Sequence, residues 1–317
     1  MATVQKIKKR NGEIVDFNAQ KIAVVVQKAF AATLGDSHES EALEITRSVV
    51  DAIDQQFADT ALLPDVENIQ DLVERALMER GYFTVAKSYI IYRYEHEKIR
   101  QEKKEEVVEM INENSLLITK RDGSREPFNE HKLTRTLLRS SEGFEECVDI
   151  PAIIARVQQE MYDGMKTKEI HDVLIMVVRS MIERDPAHSF IASRLLLESI
   201  YREVIGDFDY TTLKESYQAA FIKNIHHGVT IGQFDPRMGE FNLEKLGATL
   251  DIKRDRDFKY LGLQTLLANY LSREYTNKKL LETPQMFWMR VAMGTALAEK
   301  TPEAREKYAL EFYEIMS

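Results

Sequence analysis

The sequence predicts a mainly α-helical protein (α+β) in which two similar modules precede a further helical segment. Each module is expected to hold a small, hairpin-containing sheet over a bundle of about four helices. Three observations predict this fold: a short motif occurs twice, helical apolar patterns follow each copy, and the last third of the chain is helical without a third copy.

The repeated motif reads KRNGEIVDFNAQKI from Lys9 and KRDGSREPFNEHKL from Lys120. Residues 7–22 align with residues 118–133 without a gap and share Ile, Lys, Arg, Gly, Phe, Asn and Lys at matching places. Agreement in one frame over this length indicates a duplicated module.

Each copy begins as a predicted β-hairpin. In residues 3–17, Asn11–Gly12 has the composition of a type I′ turn, which needs φ > 0 at both central positions. Asp122–Gly123 is expected to form the same turn in the second copy. The Asn that follows each hairpin, Asn18 or Asn129, is a preferred helix N-cap.

Helical apolar spacing begins directly after each hairpin. The first helix is predicted to bury one face, formed by Ile22, Val25, Val26 and Ala29. Further helices are predicted over 41–57, 65–79 and 83–100 and, in the second copy, over 130–139, 151–162, 168–183 and 187–203. The expected domains are a first module at 1–100, a charged connecting helix at 101–115, a second module at 116–206 and a helical segment at 207–317.

Composition limits the class of protein. A chain of 317 residues exceeds one typical domain. A formal net charge of -9 argues against broad nucleic-acid binding, so no nucleic-acid partner is expected. No apolar run approaches the roughly 20 residues that cross a bilayer, and the N-terminus lacks the apolar core of a signal peptide. We therefore expect a cytoplasmic protein without a membrane partner.

Cysteine is nearly absent, since Cys147 is the only one. This excludes disulfide scaffolds, Cys-rich zinc sites and Cys-pair redox motifs. Cys147 is predicted to be a small core residue. The neighbouring Glu145 and Glu146 would raise the pKa of its thiol and so disfavour a nucleophile.

The start of the first helix in each module predicts an anion site. A helix N-terminus presents unpaired N–H groups and the positive end of the helix dipole, which together favour phosphate. The dipole disfavours lysine in the first turn, so a lysine there in both copies favours a bound anion. The candidate cations are Lys9, Arg10 and Lys21 in the first copy and Lys120, Arg121 and Lys132 in the second.

Ordinary surface charge would be the better explanation of a single copy. The repetition in matching frames favours a phosphate-bearing ligand. No G-x-x-x-x-G-K-[ST] loop and no strand-linked G-x-G-x-x-G is present.

Thr167 and His171 share one helix face, where they either line a pocket or cap it. His226–His227 are predicted as a surface loop pair without a metal set.

Longer stretches resemble a known family. The run V-x-K-I-K-K-R-N-G-E-I-V-D-F-N-x-x-K-I and the later VERALMERGYFTVAKSYIIYR resemble the ATP-cone, the nucleotide-sensing domain of ribonucleotide reductases. MYDGMKTKEIHDVL and SRLLLESIYRE resemble it in the second copy. DFKYLGLQTLLANYL and LETPQMFWMRVAMGTAL are similar to the stretch that introduces the catalytic barrel of the class I large subunit.

The resemblance implies an overall activity switch. ATP-cones bind ATP or dATP, for which Mg²⁺ is the expected companion; ATP permits reduction, and dATP inhibits it by changing how subunits assemble. The implied partners are the catalytic barrel portion of the large subunit, the radical-bearing small subunit and further copies of the chain in a dATP-dependent homo-oligomer. Matching positions place the nucleotide at Lys9, Arg10, Asn18 and Lys21, and at Lys120, Arg121, Glu126, Asn129, Lys132, Thr167 and His171.

The first copy departs from the family pattern, with Val15 opposite Glu126 and Gln70 opposite His171. The second copy keeps more of the family's pocket residues, which favours it as the nucleotide-binding copy. In family members with tandem cones, however, the N-terminal copy is often the active one. Both copies are therefore candidates.

The family's catalytic cysteines lie in the barrel, and Cys147 lies in the second module. The expectation is a regulatory piece of a class I large subunit, cut down or naturally split, that reduces no nucleotide alone. One alternative is a nucleotide-responsive repressor, which needs a zinc ribbon and fits the acidic charge poorly. Another is an interaction module whose cones bind nothing.

Overall fold

The computed structural model describes residues 4–10, 14–35, 38–57 and 62–317. The chain forms two compact units, residues 1–128 with 155–170 and residues 129–154 with 171–317. Four short strands are described: β1 Lys6–Lys8, β2 Ile14–Asp16, β3 Leu117–Thr119 and β4 Arg125–Pro127. The mainly α-helical prediction is confirmed, because helices hold most of the described residues.

The helices follow the strands in the predicted order. Those before residue 113 are α1 Ala19–Leu34, α2 Glu39–Phe57, α3 Val66–Glu79 and α4 Phe83–Asn112. Those between the second hairpin and residue 204 are α5 Glu130–Ser140, α6 Ile150–Gln158, α7 Thr167–Arg179 and α8 Ala187–Val204. The remaining ones are α9 Leu213–Thr230, α10 Leu243–Ala248, α11 Tyr260–Asn269, α12 Pro284–Ala296 and α13 Pro302–Met316.

The two hairpins have equivalent hydrogen-bond patterns. Ile7 lies opposite Val15, and Ile118 lies opposite Glu126, as the gapless alignment requires. An isolated parallel bridge extends each sheet, from Lys8 to the segment before α3 and from Thr119 to the segment before α7. The duplication is therefore one of backbone structure as well as of sequence.

The turn prediction for the second hairpin is wrong in type. Asp122 does not have a positive φ, whereas Gly123 has φ 83°. Gly123 N–H donates to the Lys120 carbonyl at 3.0 Å, and Lys120 N–H donates to the Ser124 carbonyl at 2.8 Å. This pattern fits a longer loop in which only the glycine needs the left-handed region. The corresponding prediction for Asn11–Gly12 lies outside the described residues.

The core of the first module lies among α1, α2, α3 and α4, with Ile7 and Phe17 of the hairpin region packed against it. On α1 the buried stripe runs through Ile22, Val26 and Phe30. Val25 was predicted to share this stripe but is 37% exposed. The reason is the helical period: a residue next to Val26 is turned about 100° away from the stripe's centre.

Helix α4 is continuous from Phe83 to Asn112. It therefore includes most of the charged segment that the sequence assigns to a connecting helix at 101–115. No Gly or Pro interrupts this run, and mixed charges such as Lys98–Glu102 at i,i+4 support a solvated helix. The domain boundaries themselves stay a prediction.

The second unit contains a buried polar network around Asp255. Its carboxylate accepts hydrogen bonds from the hydroxyls of Tyr201 at 2.6 Å and Tyr217 at 3.1 Å, and from Gln285 Nε2 at 2.9 Å. Burial of the carboxyl outweighs these donors and raises its pKa to about 7. The network joins α8, α9 and α12 through one side chain.

None of the helices in the described ranges combines the length and the apolar character that a bilayer crossing needs.

Candidate anion-binding site

The starts of α1 and α5 have the same capping geometry. Asn18 Oδ1 accepts from Gln20 N–H at 2.9 Å, and Asn129 Oδ1 accepts from His131 N–H at 3.0 Å. Both Asn residues have extended backbone, with φ -131° and φ -124°. Each cap satisfies one orphan N–H of its helix, which leaves others for a ligand. The predicted capping role of Asn18 and Asn129 matches this geometry.

A lysine occupies the third position of each helix. Lys21 N–H donates to the Asn18 carbonyl at 3.2 Å, and Lys132 N–H donates to the Asn129 carbonyl at 3.1 Å. Both side chains are exposed. The first turn of α1 contains no acidic residue, whereas α5 begins with Glu130. The positive end of α1 is therefore the less compensated of the two, which favours an anion there.

Arg10 lies in an ion-pair cluster that the sequence did not predict. Its Nε donates to Glu67 Oε1 at 2.6 Å and its Nη2 to Gln70 Oε1 at 2.9 Å. Arg93 of α4 donates to the other oxygen of Glu67 at 2.5 Å and also pairs with Asp71 and Glu74. Arg10 is thus held toward α3 by a carboxylate that would compete with a phosphate.

The electrostatics of Glu67 match this geometry. Burial raises the pKa of its carboxyl, but hydrogen bonds from Arg10 and Arg93 outweigh burial and hold the pKa below its usual range. Glu67 is therefore ionised at neutral pH and neutralises part of the charge that Arg10 could offer to a ligand. A shallow cleft beside this cluster is lined by Arg10, Glu67, Glu74, Ile90, Arg93, Tyr94 and Glu97.

The remaining cations lie on the hairpin loops. Lys9 follows β1 and is half-buried. Lys120 and Arg121 lie in the loop between β3 and β4, and both are exposed. Lys120 Nζ is 3.8 Å from Glu126 Oε2, so this pair lies across the second hairpin. In the first hairpin the residue at the equivalent strand position is Val15, which cannot pair with Lys9.

Thr167 and His171 lie on α7 one turn apart, as predicted. Thr167 Oγ1 donates to the Thr119 carbonyl at 3.5 Å, which ties the start of α7 to the hairpin. His171 Nε2 is 2.8 Å from the Leu195 carbonyl of α8, so one ring nitrogen is engaged in a structural contact. The ring leaves only Nδ1 for a ligand.

The structure also locates the two remaining candidates from the sequence, the His226–His227 pair and Cys147. His226–His227 lie on helix α9 and not on the predicted loop, and His227 Nε2 is 3.2 Å from Glu274 Oε2. Across the described ranges no group of three or more His, Cys, Asp or Glu could hold a metal ion. Cys147 is exposed, so its prediction as a core residue is wrong. Desolvation, followed by Asp185 and Glu146, raises the pKa of its thiol, as expected from the neighbouring carboxylates.

Sequence reasoning missed Glu67 and Arg93. Glu67 lies three residues before Gln70 on α3, so the two share a helix face. This spacing could have pointed to Glu67, because Gln70 aligns with the candidate pocket residue His171 of the second copy. Arg93 gave no local signal, since its partners are 19 to 26 residues away along the chain.

Family comparisons agree with the duplicated architecture. The family described as ATP cone domain matches residues 5–98 and 116–203. The family described as ribonucleotide reductase, all-alpha domain matches residues 256–317. Two cones followed by this all-alpha domain define a chain of the reductase large-subunit class. The chain belongs to the ribonucleotide reductase large (alpha) subunit family and corresponds to the N-terminal regulatory portion with tandem ATP-cones.

Individual relatives support the same assignment. The chain is 32% identical over 318 residues to ribonucleoside-diphosphate reductase subunit alpha of Chlamydia trachomatis, with 98% of this chain and 30% of the relative covered. Its counterpart in Chlamydia muridarum is 33% identical over 322 residues, with the same shares covered. Ribonucleoside-diphosphate reductase 1 subunit alpha of Escherichia coli is 29% identical over 212 residues, which is 65% of this chain and 26% of the relative.

The chain spans less than a third of the length of these curated relatives.

Proposed function

We propose that the chain is the ATP- and dATP-sensing part of a ribonucleoside-diphosphate reductase and controls its overall activity. The observation that carries this proposal is the pair of equivalent helix starts, each with a capping Asn, a lysine in the first turn and Lys-Arg on the preceding hairpin loop. Backbone N–H groups, a helix dipole and cationic side chains are the components of a triphosphate site.

The proposed ligand is ATP or dATP with Mg²⁺. In the first module the triphosphate would contact Lys9, Arg10 and Lys21. In the second it would contact Lys120, Arg121 and Lys132 at the helix start that Asn129 caps. Glu126, Thr167 and His171 are the further proposed pocket positions of that module. The proposed partners are the barrel portion of the large subunit, the radical-bearing small subunit and further copies of this chain. The proposed cones occupy residues 1–100 and 116–206, joined by the segment 101–115.

Isothermal titration of the 317-residue chain with MgATP and MgdATP tests the proposal. We expect saturable heat with both nucleotides at micromolar concentration, because charge-assisted contacts to a triphosphate are strong. Absence of heat with both nucleotides would instead support an interaction module whose cones bind nothing.

Substitution of Glu67 by glutamine is expected to strengthen nucleotide binding at the first module by a factor of roughly two to ten. Glutamine keeps a hydrogen-bond acceptor but removes the charge that holds Arg10, so the guanidinium can turn toward phosphate. Titration calorimetry measures the change.

Glu74→Gln is the matched control, since Glu74 pairs with Arg93 and makes no hydrogen bond to Arg10. Equal affinities for the Glu67 and Glu74 variants would remove Arg10 from the set of phosphate contacts while leaving Lys9 and Lys21 in place.

The effector is also expected to change assembly. Sedimentation velocity of the chain with MgdATP should give a larger mean sedimentation coefficient than with MgATP, because dATP is proposed to favour association between copies. Superimposable sedimentation profiles with the two nucleotides would show that this chain does not carry the switch.

A further inference from the structure

A cavity of about 510 Å³ lies within the second unit. It is bounded by the C-terminal end of α5, by α8, by the start of α9 and by the turn at Ile252–Asp257. Its volume falls in the range of small-molecule sites. Arg139 of α5 lines the cavity, whereas Lys132 lies seven residues earlier, about 10 Å away along the helix axis.

One part of the cavity wall is apolar. Leu197, Leu213 and Leu250 contribute side chains that are at most 9% exposed, and the rings of Tyr201 and Tyr210 adjoin them. Aliphatic and aromatic groups of this kind accept the ring or hydrocarbon part of a ligand.

The rest of the lining carries more cations than carboxylates. The cations are Arg139, Arg194, Lys214, Lys253 and Arg256, and the carboxylates are Glu198 and Asp251. Both carboxylates already have partners. Glu198 accepts from Arg139 at 2.6 Å and from Arg202 at 2.8 Å, and Asp251 lies 3.7 Å from Arg254. Arg256 in turn pairs with Glu142 at 2.7 Å. The excess positive charge of the cavity therefore comes from Arg194, Lys214 and Lys253.

Arg194 is a cation of the lining whose hydrogen-bond acceptors carry no charge. Its Nη1 donates to the carbonyl oxygens of Ser140 at 3.0 Å and Glu142 at 2.6 Å, both of which are neutral acceptors. Its Nε is buried and has no hydrogen-bond partner among the described residues. Burial, followed by repulsion from Arg256, lowers the pKa of the guanidinium. An anion in the cavity would offset the charge of this guanidinium.

Two lysines of the lining are available to the same ligand. Lys214 and Lys253 are exposed, and neither forms an ion pair within the part of the chain that the structure describes. Their side chains are flexible, so their ammonium groups can contact a phosphate bound at the mouth of the cavity.

We propose that this cavity binds a small organic phosphate, whose ring or hydrocarbon part contacts Leu197, Leu213 and Leu250 and whose phosphate is held by Arg194, Lys214 and Lys253. The ligand is distinct from the nucleotide of the helix starts, so the proposal does not rest on the function proposed above.

Pyridoxal 5′-phosphate is a suitable probe, because it combines a phosphate and an aromatic ring with an aldehyde. The aldehyde condenses with a lysine amine to an imine with loss of water, and borohydride reduces the imine to a stable secondary amine. Peptide mapping of the labelled 317-residue chain is expected to find Lys214 or Lys253 labelled first. Phenyl phosphate, which lacks the aldehyde, is expected to suppress that labelling.

Lys300 is the internal control, since it is exposed on the same unit and does not line the cavity. Labelling of Lys214 and Lys253 no faster than of Lys300, or labelling that phenyl phosphate leaves unchanged, would overturn the proposal.

A second measurement does not depend on lysine reactivity. Titration calorimetry with phenyl phosphate should give an affinity about tenfold weaker for the double variant Lys214→Ala/Lys253→Ala, because two charge-assisted contacts are lost. The matched control is Lys223→Ala/Lys300→Ala, which removes the same charge elsewhere on the unit. Equal affinities for the two double variants, or inorganic phosphate binding as tightly as phenyl phosphate, would contradict the site.

Discussion

Substitution of both Lys9 and Arg10 by alanine is expected to weaken ATP and dATP binding at the first module by roughly tenfold to a hundredfold. Two cations of the first hairpin are lost, and each is expected to contact a phosphate oxygen. The loss should lie toward the lower end of this range, because Arg10 already forms an ion pair with Glu67. Titration calorimetry of the variant against the parent chain measures it.

The control for this double variant must remove equal charge without touching the site. Lys103→Ala/Lys104→Ala does so, since both lysines are exposed on α4. The variant Lys120→Ala/Arg121→Ala makes the matching test in the second module. If the Lys9/Arg10 variant binds nucleotide as tightly as the α4 control, with unchanged circular dichroism, the assignment of the first module fails.

The second large effect concerns stability and pH. Because the folded-state pKa of Asp255 is about 7 and its ordinary value is 3.8, the folded chain binds this proton more tightly than the unfolded chain does. The stabilising contribution is fully present below about pH 4 and is lost as the pH rises through about 7. The difference in unfolding free energy between these limits is on the order of 4 kcal/mol.

Asp255→Asn should remove this dependence, since an amide does not titrate. Urea unfolding at a series of pH values between 4 and 8 is expected to show a smaller pH slope for the variant than for the parent, chiefly between about pH 4 and about pH 7. Asp257→Asn, at an exposed neighbouring carboxyl, should keep the parent slope. Parallel slopes for the parent and the Asp255 variant would mean that the buried carboxyl stays ionised throughout this range.

The structural features that the sequence predicted correctly depend on residues close together in the chain. Asn18 and Asn129 cap their helices because the residue after an extended strand can offer its side-chain oxygen to the next turn. The gapless repeat also predicted that Val15 and Glu126 would hold equivalent strand positions, as they do. These features depend on a few neighbouring residues and repeat in both modules.

The parts that the sequence did not predict depend on distant residues. Arg10 meets Glu67 across 57 positions, so the neutralisation of a candidate phosphate contact could not be seen from the motif alone. The cavity at α5, α8 and α9 likewise combines residues from four separate segments. The type of turn at Asp122–Gly123 was also predicted wrongly. An Asp-Gly dipeptide occurs both in two-residue turns and in longer hairpin loops, and composition alone does not distinguish the two.

The central claim is that cations gathered at two equivalent helix starts hold the triphosphate of an adenine nucleotide. A crystal structure of the chain grown with dATP and Mg²⁺ tests it most directly. We expect triphosphate density within about 3 Å of backbone N–H groups at the start of α1 or α5, with Lys9 and Lys21 or Lys120 and Lys132 turned toward it. Nucleotide bound elsewhere, with both helix starts empty and these lysines extended into solvent, would contradict the claim.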